Sequence, residues 1–345
     1  MNNLYLENGY LNFDYILERG AWLNVIIGKR QVGKTYGCLQ LMLRRNFKFI
    51  LLRRTTAELE TIAANMDLNP FEAFKPDFKT GLFKSGKDLC KISDYKTDEN
   101  GKAKETNSRG IATSLAQIAH IRGFNGSAFS DLVYDEFIPE KGVITRATEG
   151  DSFLNAYRTI NGNRELNELP PLRAWLLANS NRIDSPVLEA LNLTDDILYM
   201  RRRGLEELKT TNGTFICQPN SEVITKMQKE TALAKQISKE SDFYKMALEN
   251  EFAYDASPYI KTLSIKGMRP VWNYNDVIYC WTSGGGSYYI CRAPFSKGAK
   301  YGGGRVEREK LANDWSILKP CYYAGLVLFS DLRAQALFKN IYKIT

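Results

Sequence analysis

Apolar residues fall in short continuous runs in the first two thirds of the chain and in alternation with polar residues after that. Trp22 to Ile27 (WLNVII) is a run ended by glycine, and beyond Lys34-Thr35 the residues Leu39, Leu41, Met42 and Leu43 return at helical spacing. This spacing predicts strand, loop, helix. A second run, Phe47 to Leu52, ends in Arg53 and Arg54, and Ala57-Glu58-Leu59-Glu60 opens another helix. Asp131 to Tyr134, Arg173 to Ala178 and Asp196 to Met200 read as further buried strands, with a helix over Phe153 to Ile160. Such alternation predicts an α/β domain with a mainly parallel sheet. Residues 93–110 are polar around Asn100-Gly101 and predict the exposed tip of an inserted hairpin.

From about Asn212 to Glu251 the chain is polar and predicted helical, as suits a linker or small bridging subdomain. Tyr259 to Ile265, Val271 to Trp281 and Ser287 to Arg292 then alternate and are rich in aromatics. A short helix near Glu307 to Asn313, a strand over Cys321 to Phe329 and a helix from Asp331 complete a predicted α+β domain. The expected organisation is residues 1–210, a bridge over 211–252, and a second domain over 253–345.

With 345 residues, 44% hydrophobic and 25% charged, the chain exceeds one comfortable core and fits two domains. No apolar run reaches the roughly 18 to 20 residues that cross a bilayer, and the N-terminus lacks the layout of a secretory signal, so no membrane contact is expected. Six scattered cysteines and a single histidine suggest neither a zinc site nor a disulfide framework, and a reducing cytoplasm fits. His120 is expected to be a packing residue. The charge is uneven: Lys261 to Thr345 holds 13 basic and 5 acidic residues, while residues 1–260 balance at 34 each. A basic module behind a neutral one fits a polyanion such as nucleic acid, and equally a solvated surface.

Gly28-Lys29-Arg30-Gln31-Val32-Gly33-Lys34-Thr35 matches GxxxxGK[ST] between a predicted strand and a predicted helix. Gly28 and Gly33 let backbone N–H groups approach phosphate oxygens, Lys34 adds a point charge at the β- and γ-phosphates, and the Thr35 hydroxyl can ligate Mg²⁺. ATP with Mg²⁺ is the expected ligand. Asp131-Leu132-Val133-Tyr134-Asp135-Glu136 is an apolar strand ending in adjacent acids about a hundred residues later. Asp135 suits metal orientation, and Glu136 suits a general base that activates water, which a hydrolysing motor needs and a small-molecule kinase does not. The separation leaves room for an intervening strand. Arg158 and Arg164, in AYRTINGNRE, are candidates for an arginine donated to a neighbouring subunit's γ-phosphate, with Arg146 nearby. Asn179, ending RAWLLAN, fits a polar sensor or a strand-capping turn. Arg201-Arg202-Arg203 fits contact with DNA or a partner protein, or a solvated edge.

The order IIGKRQVGKT, LLRRTTAEL, LVYDEF with IPEK behind it, TINGNRE and LLANSN resembles the DNA-packaging ATPases (encapsidation proteins) of small short-tailed phages, within the additional-strand P-loop ATPases. The similarity covers most of the first 200 residues; in the last third it rests on the aromatic strands and LVLFSDLRAQALFKN. The resemblance implies a homo-oligomeric ring of five subunits in the host cytoplasm. That ring would dock on the portal vertex of an empty capsid, with or without a linking RNA or protein, and hydrolyse ATP to drive double-stranded DNA inward. By position it implies Lys34 and Thr35 as phosphate and magnesium residues, Asp135 as the metal-orienting acid, Glu136 as the base and Asn179 as its restraint. Arg53 corresponds to a basic residue that senses nucleotide or neighbour. The chain departs from the family pattern at Gly162, where the trans-acting arginine is expected, and at Thr56, where a basic residue is.

The resemblance further implies a ribonuclease-H-like second domain. Between Asp255 and Asp276 there is no Asp or Glu, although a two-metal nuclease needs clustered carboxylates. A vestigial nuclease that grips DNA is therefore expected. Lys297, Lys300, Arg305 and Arg308, around Gly302 to Gly304, are expected on a mobile loop touching phosphates. That glycine run and Gly284 to Gly286 equally fit flexible hairpin tips. Other readings stay open: a different P-loop DNA translocase or helicase, a packaging enzyme with an active nuclease, a phosphotransferase, and a non-enzymatic portal-docking protein.

Overall fold

The computed structural model describes residues 3–64, 68–75, 77–86, 89–118, 126–140, 143, 146, 148–180, 185–241, 244 and 259–344. His120 and most of the segment from 242 to 258 lie outside these. Two compact units result, the first from Met1–Lys141, Thr148–Arg182 and Asp195–Ala253, the second from Gly142–Ala147, Ile183–Thr194 and Tyr254–Thr345.

The first unit opens with α1 (Phe13–Glu18), β1 (Leu23–Gly28), α2 (Lys34–Arg44), β2 (Phe49–Arg53) and α3 (Thr56–Ala64). The antiparallel strands β3 (Thr80–Lys84), β4 (Leu89–Thr97) and β5 (Ala103–Ser114) follow, then α4 (Leu115–Ile118), β6 (Asp131–Asp135), α5 (Glu149–Asn161) and β7 (Arg173–Asn179). After α6 (Pro186–Ala190), which groups with the second unit, come α7 (Thr194–Arg203), β8 (Glu207–Lys209), β9 (Thr214–Cys217), α8 (Glu222–Lys229) and α9 (Ala232–Gln236). The nine strands form one sheet in the order β3-β4-β5-β2-β6-β7-β1-β9-β8, parallel from β5 to β9. The central strands β1, β2 and β6 are buried at every position, as a parallel sheet covered on both faces requires. α2 lays Cys38, Leu39, Met42 and Leu43 into a core shared with Trp175 and Phe215.

The second unit holds β10 (Arg269–Tyr274), β11 (Ile278–Gly284), β12 (Ser287–Cys291), β13 (Ala299–Tyr301), α10 (Arg305–Asp314), α11 (Leu318–Tyr323), β14 (Val327–Phe329) and α12 (Leu332–Tyr342). Its mixed sheet runs β13-β10-β11-β12-β14, with a core of Trp272, Phe329 and Phe338.

The mixed α/β class with its large, mainly parallel sheet is as the sequence predicts; several elements differ. Asp196 to Met200 is helical, inside α7, because acids at its start and Arg201 to Arg203 at its end complement the helix dipole. Cys321 to Phe329 divides at Gly325, whose φ of +73° ends the helical stretch before β14. Val271 to Trp281 is two strands rather than one, since Asn275 and Asp276 both take positive φ and turn the chain back. In Tyr259 to Ile265 only Ile260 forms a bridge, to Phe329. Thr214 to Cys217, inside the segment predicted helical, is the buried strand β9 beside β1.

Candidate functional site

The loop Gly28–Thr35 joins β1 to α2. Gly33 sits at φ +82° as the N-cap of α2, and no side chain caps the helix there, so its first amides face the loop without competition. A Cβ at Gly33 would meet the Tyr10 ring at 3.0 Å, and one at Gly28 would meet Pro219 Cγ at 2.7 Å. Packing thus requires a glycine at Gly28, and packing together with the left-handed backbone requires one at Gly33. Lys34 is buried and folds back, its ammonium donating to the carbonyls of Gly28 at 2.9 Å and Lys29 at 2.6 Å. Burial pushes it down to about 7, opposed by Asp135. An anionic phosphate in the loop would supply the countercharge that burial demands.

Sheet order explains what faces the loop. β7, which follows β6 in the chain, lies between β6 and β1, so the C-terminal ends of β1, β7 and β6 form one edge. Thr35 Oγ1 donates to Asp135 Oδ1 at 2.9 Å across that edge. On the other side β2 pairs with β6 and brings up buried Arg53, 2.9 Å from Glu136 Oε2 and 3.4 Å from Asp135 Oδ2. Glu136 itself takes φ +55°, a left-handed turn directly after the strand, and its side chain stays 59% exposed. Such a conformation costs about 1 kcal/mol or more in a non-glycine residue, and it marks functional turns often enough to be informative. Partial loss of hydration at the sheet edge raises the Glu136 carboxyl above the usual range, with Arg53 opposing. Asn179 ends β7 in register with Gly28, the strand position between loop and acids.

The other loop residues point elsewhere. Arg30 pairs with Glu140, and Gln31 takes φ +62°. Val32 is fully buried, and its carbonyl accepts from the Leu11 N–H at 3.2 Å. The Lys29 ammonium is directed into α8, donating to Ser221 O at 3.2 Å and to Thr225 Oγ1. Burial and nearby Lys229 push it down to about 8.

The two arginine candidates part ways. Arg164 donates to three backbone carbonyls, those of Pro170, Ser127 and Phe129, at 2.8 to 3.2 Å. Arg158 lies on the exposed side of α5. Neither is brought to the loop within this chain, and Arg146 lies outside any helix or strand.

In the second unit the expected mobile loop is partly regular. Lys300 lies in edge strand β13, and Arg305 and Arg308 lie in α10, where Gly304 is the N-cap. Arg305 is bonded to Glu309 at 3.1 Å and Arg308 to Asn340 at 3.1 Å, while Lys297 and Lys300 are exposed. Gly284 to Gly286 form the β11–β12 turn, all at positive φ. No cluster of three or more His, Cys, Asp or Glu side chains suited to a metal occurs among the described residues, and no described helix is long and apolar enough to cross a membrane.

Two features escaped the sequence. Arg54, beside Arg53, is buried and bonded to buried Glu149 of α5 at 3.1 Å. Gln228 of α8 donates to the Arg30 carbonyl at 2.8 Å. Both contacts join segments about a hundred or more residues apart, beyond what a local pattern carries.

Comparison with known proteins shows a family and a shared fold. A family model described as podovirus DNA encapsidation protein (Gp16) matches residues 7–291. No curated protein matches the chain. Two solved structures share its fold throughout. One is the Phi-28 gp11 DNA packaging motor, 16% identical with a TM-score of 0.63, over 98% of this chain and 99% of that chain. The other is the bacteriophage Phi-29 viral genome packaging motor assembly, 18% identical with a TM-score of 0.62, over 99% of each.

Proposed function

The chain belongs to the podovirus DNA encapsidation proteins, and we propose that it is the ATPase of a packaging motor, hydrolysing ATP in the Gly28–Thr35 loop to drive double-stranded DNA into a capsid. The observation that carries this reading is the contact of Thr35 with Asp135, which sets a phosphate cradle against a pair of acids. The hydroxyl and carboxylate are hard oxygen donors of the kind Mg²⁺ prefers, and Thr35 with Asp135 would hold it. When bound, that ion supplies charge neutralisation at the β- and γ-phosphate oxygens. The chain's own residues do the rest. Backbone N–H groups and Lys34 bind the phosphates, and Glu136 takes a proton from the attacking water. Its raised carboxyl makes it a better proton acceptor than an ordinary carboxylate, and Arg53 holds it in place while keeping it ionised. Asn179, one strand from each side, restrains Glu136 or touches the γ-phosphate.

The assembly is a ring of five on the portal, in which Arg158 reaches the neighbour's nucleotide. Exposure favours it, whereas Arg164 is occupied by three carbonyls of its own chain. The second unit is read as a non-cleaving ribonuclease-H-like domain over about residues 253–345, gripping DNA through Lys297, Lys300, Arg305 and Arg308. Its mixed sheet and the lack of acids between Asp255 and Asp276 support that reading.

The test is phosphate release with Mg²⁺ and double-stranded DNA. Glu136→Gln is expected to lower it by about a hundredfold or more while nucleotide still binds. Turnover near that of the unaltered protein would remove Glu136 as the base.

A further inference from the structure

Lys29 stands in the phosphate-binding loop, yet its side chain is fully buried and serves a different segment. Its ammonium reaches the Ser221 carbonyl and the Thr225 hydroxyl, at the N-terminal end of α8. One turn further along the same helix, Gln228 donates to the Arg30 carbonyl at 2.8 Å and to Gln31 Oε1 at 3.3 Å. Just before the helix, Pro219 lies so close to Gly28 that a Cβ there would fall 2.7 Å from its ring. Four consecutive loop residues, Gly28 to Gln31, are therefore held by the segment Pro219 to Gln228.

Burying an ammonium is costly, and a lysine at this position could instead extend into water. The cost is met by hydrogen bonds that fix one helix to one loop. A loop bonded through its main chain and side chains in this way cannot adjust around a phosphate chain without displacing its partner. Val223 and Met227 leave one side of α8 exposed, at 49% and 59%, while Ile224 sets the other in the core, so what the loop holds can reach the helix through the clasp and through that shared packing.

We propose that Lys29, with Thr225 and Gln228, is a positioning clasp that makes α8 respond to what the phosphate-binding loop holds, so that nucleotide occupancy is read by a helix in the C-terminal part of the first unit. This rests on Gly28–Thr35 being a nucleotide cradle.

Amide hydrogen exchange on the full chain tests it, with Mg²⁺ and a non-hydrolysable ATP analogue. At an analogue concentration about 100 times its Kd, exchange in 28–35 and in 222–229 is expected to slow together, by up to about a hundredfold. In a Thr225→Val, Gln228→Leu double variant the loop should still slow while α8 no longer does. Basal phosphate release should stay as it was, and its stimulation by DNA should be lost. Protection confined to 28–35 in the unaltered protein overturns the clasp and leaves the nucleotide cradle standing. No change in either segment overturns both. A double variant that keeps the α8 response also overturns the clasp, and if that variant does not fold, the unaltered protein decides alone.

Discussion

The cations around the phosphate-binding loop and three of those named for DNA contact in the second unit are placed in opposite ways. In the first, Lys29, Lys34, Arg53 and Arg54 are between 0% and 9% exposed, and each has named partners within hydrogen-bond reach. In the second, Lys297 and Lys300 lie in solvent, and the Arg305 side chain is 81% exposed. A buried cation acts at one geometry in a medium where charge interactions are strong, whereas an exposed one contributes to a field that salt screens. The first arrangement suits bond breaking at a fixed point. The second suits holding a polyanion whose position changes, because phosphates repeat and no single contact needs to persist.

The largest effect that would test this contrast is at Lys34. Lys34→Ala should reduce phosphate release about a thousandfold, near 4 kcal/mol, and retained turnover would show that the buried ammonium is not at the reacting phosphates. Arg54→Met leaves Glu149 buried without its cation and should cost about 3 kcal/mol in urea unfolding; a loss below about 1 kcal/mol would place the pair among ordinary surface contacts. Arg53→Ala should slow hydrolysis about tenfold or somewhat more. It also removes the charge that opposes the upward push on Glu136, so the Glu136 carboxyl rises further and the acid limb of the pH–rate profile moves to higher pH. A limb that stays in place would separate the two side chains. Smallest is Lys300→Ala, expected to weaken DNA binding by less than about 1 kcal/mol and to lower the slope of log affinity against log salt by about 1. A salt-independent affinity would assign the second unit to a protein partner.

How far the sequence could be read divides along the same lines. β1, the loop and α2 were legible because strand, glycines and helix are contiguous, and the run from Asp131 to Glu136 was legible because a buried strand ending in acids is a local pattern. α7 reads as a strand in the sequence because its apolar run of four, Ile197 to Met200, carries no period. The charges flanking it held the better signal, Asp195 and Asp196 at one end and three arginines at the other. The β10–β11 turn was missed because Asn275 and Asp276 lie inside a stretch whose aromatics dominate the pattern. Arg164 and Arg158 are indistinguishable as letters; only the carbonyls gathered around Arg164 separate them. The partners of Lys29 and Arg54 depend on sheet order, which no short window contains.

Placing β7 between β1 and β6 also sets a dimension. Adjacent strands lie about 4.8 Å apart, so the tip of β1 stands about 10 Å from the tip of β6. Two ladders of peptide hydrogen bonds maintain this span, whatever side chains line it. The separation between the loop and the paired acids is therefore set by main chain rather than by the side chains around the mouth, and a substitution leaves it in place unless, like proline, it breaks a ladder.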